Sequence, residues 1–311
     1  MTALVAVASY LPPLRHSVEG HLRLHGLSEA RIRLHERYFG FSEIRMTADS
    51  DLPRQLVQAV VRLPGWEELR PRVRYLIHAR TMPVVAPHPV NPVEEVRARL
   101  GLEGVKAFSV TQHACASGLL AVDLVGRLLG REGDPDALAL VVTGEKAFTT
   151  CARVITDTGV MGECSAAVLV GAGGTRDRLL AYATHTHGRF DDGAWLTAQA
   201  AAEFHDLYPQ ALADVVREAV DRAGITVADV RLILPHNVNR MSWLRVLRLL
   251  GIRGADRLFL DNLPVTGHCF GADAFVNYNS ARGRGLLEPG DRYLMTAVGL
   301  GATFSAMVLE H

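Results

Sequence analysis

The chain carries no net charge and no long apolar run. Its 311 residues include 33 Lys and Arg against 33 Asp and Glu. Because phosphate binding requires a basic excess or a basic stripe, this balance argues against nucleic acid as the main partner. No stretch reaches the roughly 18 apolar residues that a membrane-spanning helix requires. The apolar run 3–7 is too short for a signal-peptide core and follows no basic segment. We therefore expect a first strand there and a cytoplasmic protein without a membrane partner.

Cysteine is scarce, and its spacing excludes the common cysteine-based sites. The four cysteines are Cys115, Cys151, Cys164 and Cys269. None forms a CxxC pair, which argues against a zinc site or a dithiol redox motif. A disulfide is not expected in the cytosol, so each cysteine is by default a small buried apolar residue. The histidines show no metal-ligand spacing beyond His185-Thr-His187, and we predict neither a metal nor another cofactor.

The composition favours a large core built from alternating elements. Apolar residues make up 49 % of the chain and charged residues 21 %, values typical of globular domains. Short β-rich runs alternate with helical periodicity, and this pattern predicts an α/β fold. The predicted strands are 4–8, 74–77, 107–110, 138–143, 166–170, 232–234, 257–260, 293–297 and 306–309. The clearest predicted helices are 116–129, 211–223 and 242–250.

A weak internal repeat divides the chain. The segments around Cys115 and His268 each read strand, turn, small-residue helix start, helix, loop, strand and glycine. Repetition of this kind predicts two similar halves, 1–172 with the cysteine and 173–311 with the histidines, packed about a pseudo-twofold axis. The two residues would then lie at corresponding turns near the junction. Two unrelated α/β units could produce the same pattern.

The segment TQHACASG places Cys115 where a helix opens after a short buried strand. The free N–H groups of a helix N-terminus and the helix dipole both favour negative charge, so they stabilise the reactive thiolate. The flanking alanines, serine and glycine leave room for a substrate. We therefore consider Cys115 a candidate nucleophile. The alternative is an inert core thiol.

Two further segments place histidines at the ends of buried strands. In LILPHNVNRMSW, His236 and Asn239 follow a strand and open a helix, although Asn239 could equally be a helix cap. In LPVTGHCFGAD, Gly267 precedes His268 at a turn and permits close backbone approach; a core histidine is the alternative.

The glycines of AVGLGATFSAMVL interrupt a pair of C-terminal strands. Gly299 and Gly301 there suggest backbone N–H groups exposed to a bound ligand, as an oxyanion hole requires. A tight turn between two sheet strands is the alternative.

These four motifs, in this order, resemble β-ketoacyl-acyl-carrier-protein synthase III and its relatives in the thiolase superfamily. PHNVN parallels the family's PHQAN, and LEPGDRYLMTAVGLGATFSAMVL is similar to its C-terminal strands. The resemblance implies a thiolase fold in five α-β-α-β-α layers and a homodimer. It implies that Cys115 is the acylated nucleophile, that His236 is the first catalytic histidine and that Gly301 joins Cys115 in the oxyanion hole. Asn239 corresponds to the second amide of PHQAN, and Gly267 and Gly299 lie in the expected substrate-binding shell.

The sequence departs from the family pattern at two places. GHCFGAD replaces GNTSAAS, which puts His268 at the position of the family's catalytic asparagine. The segment IRLHERYFG lacks the tryptophan that holds coenzyme A, so we expect the acyl thioester to arrive on an acyl carrier protein. These departures indicate specialised rather than housekeeping metabolism.

The resulting prediction is an acyltransferase that forms acyl-Cys115 and condenses it with a malonyl-thioester-type acceptor. The alternatives are a non-condensing O- or N-acyltransferase or thioesterase, and a non-catalytic partner of an active synthase. Arg240, Arg245 and Arg248 form a candidate docking face for the acidic carrier protein. A solvated arginine-rich helix face is the alternative there.

Overall fold

The computed structural model describes residues 1–49, 51–86, 89–155 and 157–311. Within them, the strands are β1 (Ala3–Tyr10), β2 (Leu14–Ser17), β3 (Glu43–Met46), β4 (Val73–Ala79), β5 (Lys106–Val110), β6 (Leu138–Gly144), β7 (Val154–Ile155), β8 (Gly159–Val160), β9 (Ser165–Gly171), β10 (Arg178–Thr186), β11 (Val230–Leu234), β12 (Arg292–Gly299) and β13 (Thr303–Glu310). The helices are α1 (Val18–Leu24), α2 (Glu29–Arg33), α3 (Leu52–Val60), α4 (Trp66–Leu69), α5 (Pro92–Arg99), α6 (Ser117–Glu132), α7 (Thr150–Arg153), α8 (Ala198–Arg222), α9 (Arg240–Leu249), α10 (Leu263–Thr266) and α11 (Asp273–Gly283). No helix of the described part is long and apolar enough to cross a membrane.

Nine strands form one sheet in the order β11-β12-β13-β10-β1-β9-β6-β4-β5. The two sides meet at a single register pair between β1 and β10, Ala3 and Arg178. On one side β1, β9 and β6 are antiparallel while β6, β4 and β5 are parallel. On the other side β10, β13 and β12 are antiparallel while β12 and β11 are parallel. The division into halves 1–172 and 173–311 stays a prediction, which this repeated order of strands supports.

Three apolar clusters stack the elements in five layers. The strands of the first side bury one face against α3 and α5. Their other face packs on α6 and α11, which also contact the inner face of β11, β12 and β13. The outer face of that second set of strands is covered by α8 and α9. The result is the predicted α-β-α-β-α arrangement, because strands buried on both faces need a helical layer on each side.

The central helices α6 and α11 approach each other closely at their N-terminal ends. A Cβ on Gly118 would lie 2.9 Å from the carbonyl oxygen of Gly271 and 2.9 Å from Phe275. Only glycine therefore fits, since contacts below 3.0 Å with backbone cannot relax easily. This contact brings the turns that precede the two helices, which carry Cys115 and His268, to the same place.

One sequence prediction about secondary structure is wrong, and two others are incomplete. The predicted strand 257–260 is reduced to one parallel bridge between Ile233 and Leu258, because the chain turns on both sides of it. The predicted helix 211–223 is present, but it begins earlier, at Ala198, as part of α8. Its first half is largely exposed, so the apolar periodicity that marks a buried face does not appear there. Strand β10 was not among the predicted strands either.

Candidate active site

Cys115 lies in a short 3₁₀ turn, Ala114–Ala116, between β5 and α6. Ala114 has φ of 46°, a left-handed conformation that is uncommon outside glycine. The thiol is 5 % exposed and packs against Ala147, Met161 and Phe270. The sulfur thus lies at the N-terminal end of a sixteen-residue helix, next to an apolar wall that suits an acyl chain.

His268 lies in the corresponding turn before α11, anchored on the first half of the chain. Its backbone N–H donates to Val160 O at 2.8 Å, and its carbonyl accepts from Gly162 N at 2.9 Å. Its ring Nδ1 is hydrogen-bonded to Asp273 Oδ2. That carboxylate also accepts from the backbone N–H groups of Asn237 at 2.6 Å and Cys269 at 2.7 Å. Asp273 therefore ties the two histidine-bearing segments together.

The environment of His268 favours its charged form. Burial alone would lower the pKa of His268, but the charge and hydrogen bond of Asp273 and a hydrogen bond to Cys115 raise it to about 10. Since Nδ1 is bonded to Asp273, Nε2 is the nitrogen that faces the sulfur. At neutral pH His268 is thus an imidazolium whose free N–H points at the nucleophile.

His236 follows β11 and is held in the opposite charge state. It is 2 % exposed, and its backbone carbonyl accepts from Trp243 Nε1 at 3.0 Å. Burial and the positive charge of His268 hold the pKa of His236 well below its usual value. The two imidazole centroids are 6.1 Å apart. One neutral and one charged histidine beside a thiol give the site distinct hydrogen-bonding and acid–base roles.

Thr81 forms a further contact to the nucleophile. Its hydroxyl donates to Cys115 Sγ at 3.5 Å. Its backbone N–H donates to Glu145 Oε1, which also accepts from Met82 N at 3.4 Å. Burial raises the pKa of Glu145 to about 8, so this carboxyl is largely protonated at neutral pH. Glu145 therefore holds the Thr81 hydroxyl against the sulfur without placing a full negative charge beside it.

The chain is similar in sequence and in fold to several known proteins. A model of the C-terminal region of 3-oxoacyl-[acyl-carrier-protein] synthase III matches residues 220–311. The β-ketoacyl-[acyl-carrier-protein] synthase III of Nitratidesulfovibrio vulgaris is 28 % identical over 239 residues, which cover 69 % of this chain and 70 % of that protein. The solved 3-oxoacyl-[acyl-carrier-protein] synthase III of Aquifex aeolicus VF5 matches with a TM-score of 0.84 and 22 % identity over 100 % of both chains. ChlB3, described as an acyltransferase, matches with a TM-score of 0.84 and 22 % identity over 99 % of this chain and 97 % of that one.

By sequence and by fold, the chain is similar to the 3-oxoacyl-[acyl-carrier-protein] synthase III family. Its fold is the thiolase fold of that family, as the sequence predicts. In the segment GHCFGAD, where the family has GNTSAAS, the replacements at His268 and Asp273 are bonded to each other. The departure from the synthase III pattern is thus a pair of residues: the His268 imidazole and the Asp273 carboxylate, which keeps that imidazole protonated.

The other residues predicted for the synthase III site have structural partners. Asn239 caps α9, accepting from Ser242 N at 2.7 Å, and its amide donates to Thr158 O at 3.0 Å. A Cβ on Gly267 would lie 2.8 Å from Val160 O, and one on Gly299 would lie 2.0 Å from His113 O. Close packing therefore requires both glycines.

Gly301 lies in the turn that joins β12 to β13. It has φ of 133°, and a Cβ built on it would have no neighbour within 4 Å among the described atoms. Space for a ligand thus exists beside this glycine, and its place in the oxyanion hole stays a prediction.

Sequence reasoning missed Asp273, Thr81, Glu145 and Tyr208. Tyr208, on α8, has its hydroxyl 2.5 Å from His236 Nε2. Asp273 carried a signal, because GHCFGAD ends in a carboxylate where the family pattern ends in serine. Thr197, whose hydroxyl caps the start of α8, could have extended the helix to include Tyr208. Nothing local marks Thr81 or Glu145.

The remaining cysteines and the histidine pair show no metal chemistry in the described ranges. No group of three or more His, Cys, Asp or Glu that could hold an ion occurs there. Cys164 and Cys269 are free and buried, whereas the side chain of Cys151 lies outside the described part. His185 is bonded to Glu218.

Proposed function

We propose that this synthase III-like protein is a condensing enzyme that works through acyl-Cys115. The observation that carries the proposal is the Cys115–His268–Asp273 alignment at the N-terminal end of α6, with neutral His236 alongside. A thiolate at a helix N-terminus, facing an imidazolium, is the reactive state of an acyl-accepting cysteine. The site therefore has the groups that the first, acyl-accepting step of a synthase III reaction requires.

In the first half-reaction the Cys115 thiolate attacks the carbonyl carbon of an acyl thioester. A C–S bond forms, and the carbonyl oxygen becomes an oxyanion that the backbone N–H groups of Cys115 and Gly301 bind. One such donor stabilises the transition state by about 3–4 kcal/mol in other acyl-transfer enzymes. The tetrahedral adduct collapses, the original C–S bond breaks, and the leaving thiolate takes a proton as it departs.

In the second half-reaction a malonyl thioester enters and loses carbon dioxide. The electrons of the broken C–C bond form an enolate on the remaining thioester, whose oxygen needs hydrogen-bond donors. His268 supplies one through its Nε2–H, because Asp273 keeps that ring protonated. The enolate carbon attacks the acyl carbonyl, a C–C bond forms, and Cys115 leaves as the thiolate beside His268.

The donor is an acyl carrier protein, and its docking face is the outer side of α9. Arg240, Arg245 and Arg248 are all exposed there, and none has an ion-pair partner among the described residues. Arg245 is hydrogen-bonded to His205 of α8 at 2.9 Å, and Arg240 donates to Arg37 O at 2.7 Å. Unneutralised arginines on one surface next to the helix that carries Tyr208 suit an acidic partner helix.

The assembly is a homodimer formed along β5, and the pathway is one of specialised metabolism in the cytoplasm. Strand β5 ends the nine-stranded sheet, and four of its five residues are half-buried in the single chain. An edge strand of this kind offers unpaired backbone groups to a second copy. The His268–Asp273 pair supports a specialised role, because it replaces the asparagine and serine of the family pattern.

Intact-protein mass spectrometry with a panel of acyl thioesters tests the proposal. Wild-type protein gains the mass of one acyl group, and Cys115→Ala gains none, with Cys164→Ala as the matched control that still loads. Challenge of the loaded enzyme with malonyl thioester should release carbon dioxide and a 3-oxoacyl product. A stable adduct on Cys115→Ala refutes the nucleophile. Loading without decarboxylation, but with transfer to an alcohol, amine or water, replaces condensation by the non-condensing alternative.

A further inference from the structure

Tyr208 lies directly against the buried His236. It lies on α8 and is half-buried, with its hydroxyl 2.5 Å from His236 Nε2. Its ring packs edge-on against Phe204 and Phe304, at centroid distances of 5.8 Å and 5.7 Å. The phenol therefore occupies the Nε2 side of the His236 ring.

The bonding of His236 decides the direction of this hydrogen bond. Nδ1 of His236 is inaccessible and has no partner among the described residues. A buried N–H without an acceptor costs about 1–3 kcal/mol, whereas an unused acceptor is tolerated more often. The proton of the neutral ring therefore belongs on Nε2, which donates to the Tyr208 oxygen. The phenol's own proton then has no acceptor within the described part of the chain, and it is available to a ligand.

We propose that Tyr208 is a further catalytic residue, whose hydroxyl donates a hydrogen bond to the thioester oxygen of the acceptor as the enolate forms. His236 is then a positioning residue that aims the phenol. The inference rests on the proposed condensing function. It assigns the two donors on the enolate oxygen to Tyr208 and His268, rather than to the two histidines.

The electrostatics of the site agree with a donor role. Burial raises the pKa of Tyr208, and the nearby Cys115 raises it further. The phenol therefore keeps its proton through the reaction and acts as a donor, not as a base. An enolate oxygen is a suitable ligand for such a group, because its negative charge shortens and strengthens the bond as it develops.

The test is a double-mutant cycle on the second half-reaction alone. Enzyme is loaded with acyl thioester, freed of excess donor and mixed with malonyl thioester in a single turnover. Tyr208→Phe keeps the aromatic packing and should load at close to the wild-type rate. Its transfer should fall roughly 10²-fold, the loss seen when one donor is removed from an oxyanion site. Tyr182→Phe, which removes a hydroxyl bonded to Ser305, is the control and should transfer normally.

The cycle separates a relay from two independent contacts. If Tyr208 acts through the bond to His236, the Tyr208→Phe/His236→Ala double variant is no slower than the slower single variant. If the rate losses of the two single variants multiply in the double variant, His236 contacts the acceptor itself and the assignment is overturned. A transfer rate of Tyr208→Phe within threefold of wild type would also overturn it. Absence of loading in every variant, wild type included, is the failure of the proposed function itself.

Discussion

Replacing Asp273 by asparagine tests whether this carboxylate charges His268. The change keeps the size of the side chain but removes the negative charge that faces Nδ1. His268 should then lose its proton near neutral pH, because the remaining environment is buried and burial disfavours the imidazolium. The Cys115 thiol loses its cationic partner, so acyl loading at pH 7 should fall roughly 10²-fold or more.

The size of the effect on stability follows from the pKa of His268. A folded-state pKa of about 10 against 6.5 for the unfolded chain corresponds to about 5 kcal/mol. Because the folded pKa is the higher one, this stabilisation is fully present below pH 6.5. It is lost as the pH rises through about 10. The gap in unfolding free energy between wild type and Asp273→Asn should therefore be several kcal/mol at pH 6 and should narrow steadily toward pH 10.

Urea unfolding of both proteins between pH 6 and pH 10 measures this gap. Asp177→Asn is the control, since Asp177 is a second buried carboxylate bonded to a histidine, His311, and it contacts none of the site residues described above. It should lower stability without lowering acyl loading. If Asp273→Asn is too unstable to purify, the His268→Asn/Asp273→Ser variant removes both partners and should fold better. A gap that stays constant across the pH range refutes the charge assignment.

Two further changes probe the turn beside Cys115 and the carrier surface. Gly299→Ala places a Cβ 2.0 Å from the His113 carbonyl oxygen. It should lower the free energy of unfolding by about 1–3 kcal/mol and slow acyl loading. The control Gly130→Ala has open space around it on α6 and should be neutral or stabilising, so an equal loss of stability in both variants would contradict the packing argument. The double variant Arg245→Glu/Arg248→Glu should raise KM for a carrier-bound thioester roughly tenfold and leave KM for small thioesters unchanged. Arg127→Glu is the control for a charge reversal elsewhere on the surface. An unchanged KM for the carrier-bound thioester would show that α9 is not the docking face.

The similarity to synthase III, the layer order and the candidate nucleophile all came from contiguous stretches of sequence. TQHACASG contains the strand end, the small residues and the cysteine that a helix-opening turn requires, and PHNVN places His236 directly after a buried strand. Such information is local, because strand and helix periodicity and turn residues act within a few positions. The prediction of a strand at 257–260 was wrong because such local information has a limit: an apolar run does not reveal where the chain turns away from the sheet.

The hydrogen bonds that set the chemistry depended on the tertiary structure. Tyr208 and His236 are 28 residues apart, and Thr81 and Cys115 are 34 apart. Whether such groups meet depends on how far α8 extends and how closely the two halves pack, and no local pattern contains either quantity. By itself the sequence determined that Cys115 and two histidines share a thiolase-fold site. Only the folded chain decided that His268 is charged by Asp273 and that His236 is bonded to Tyr208, because pKa values and proton positions depend on burial and on contacts between distant segments.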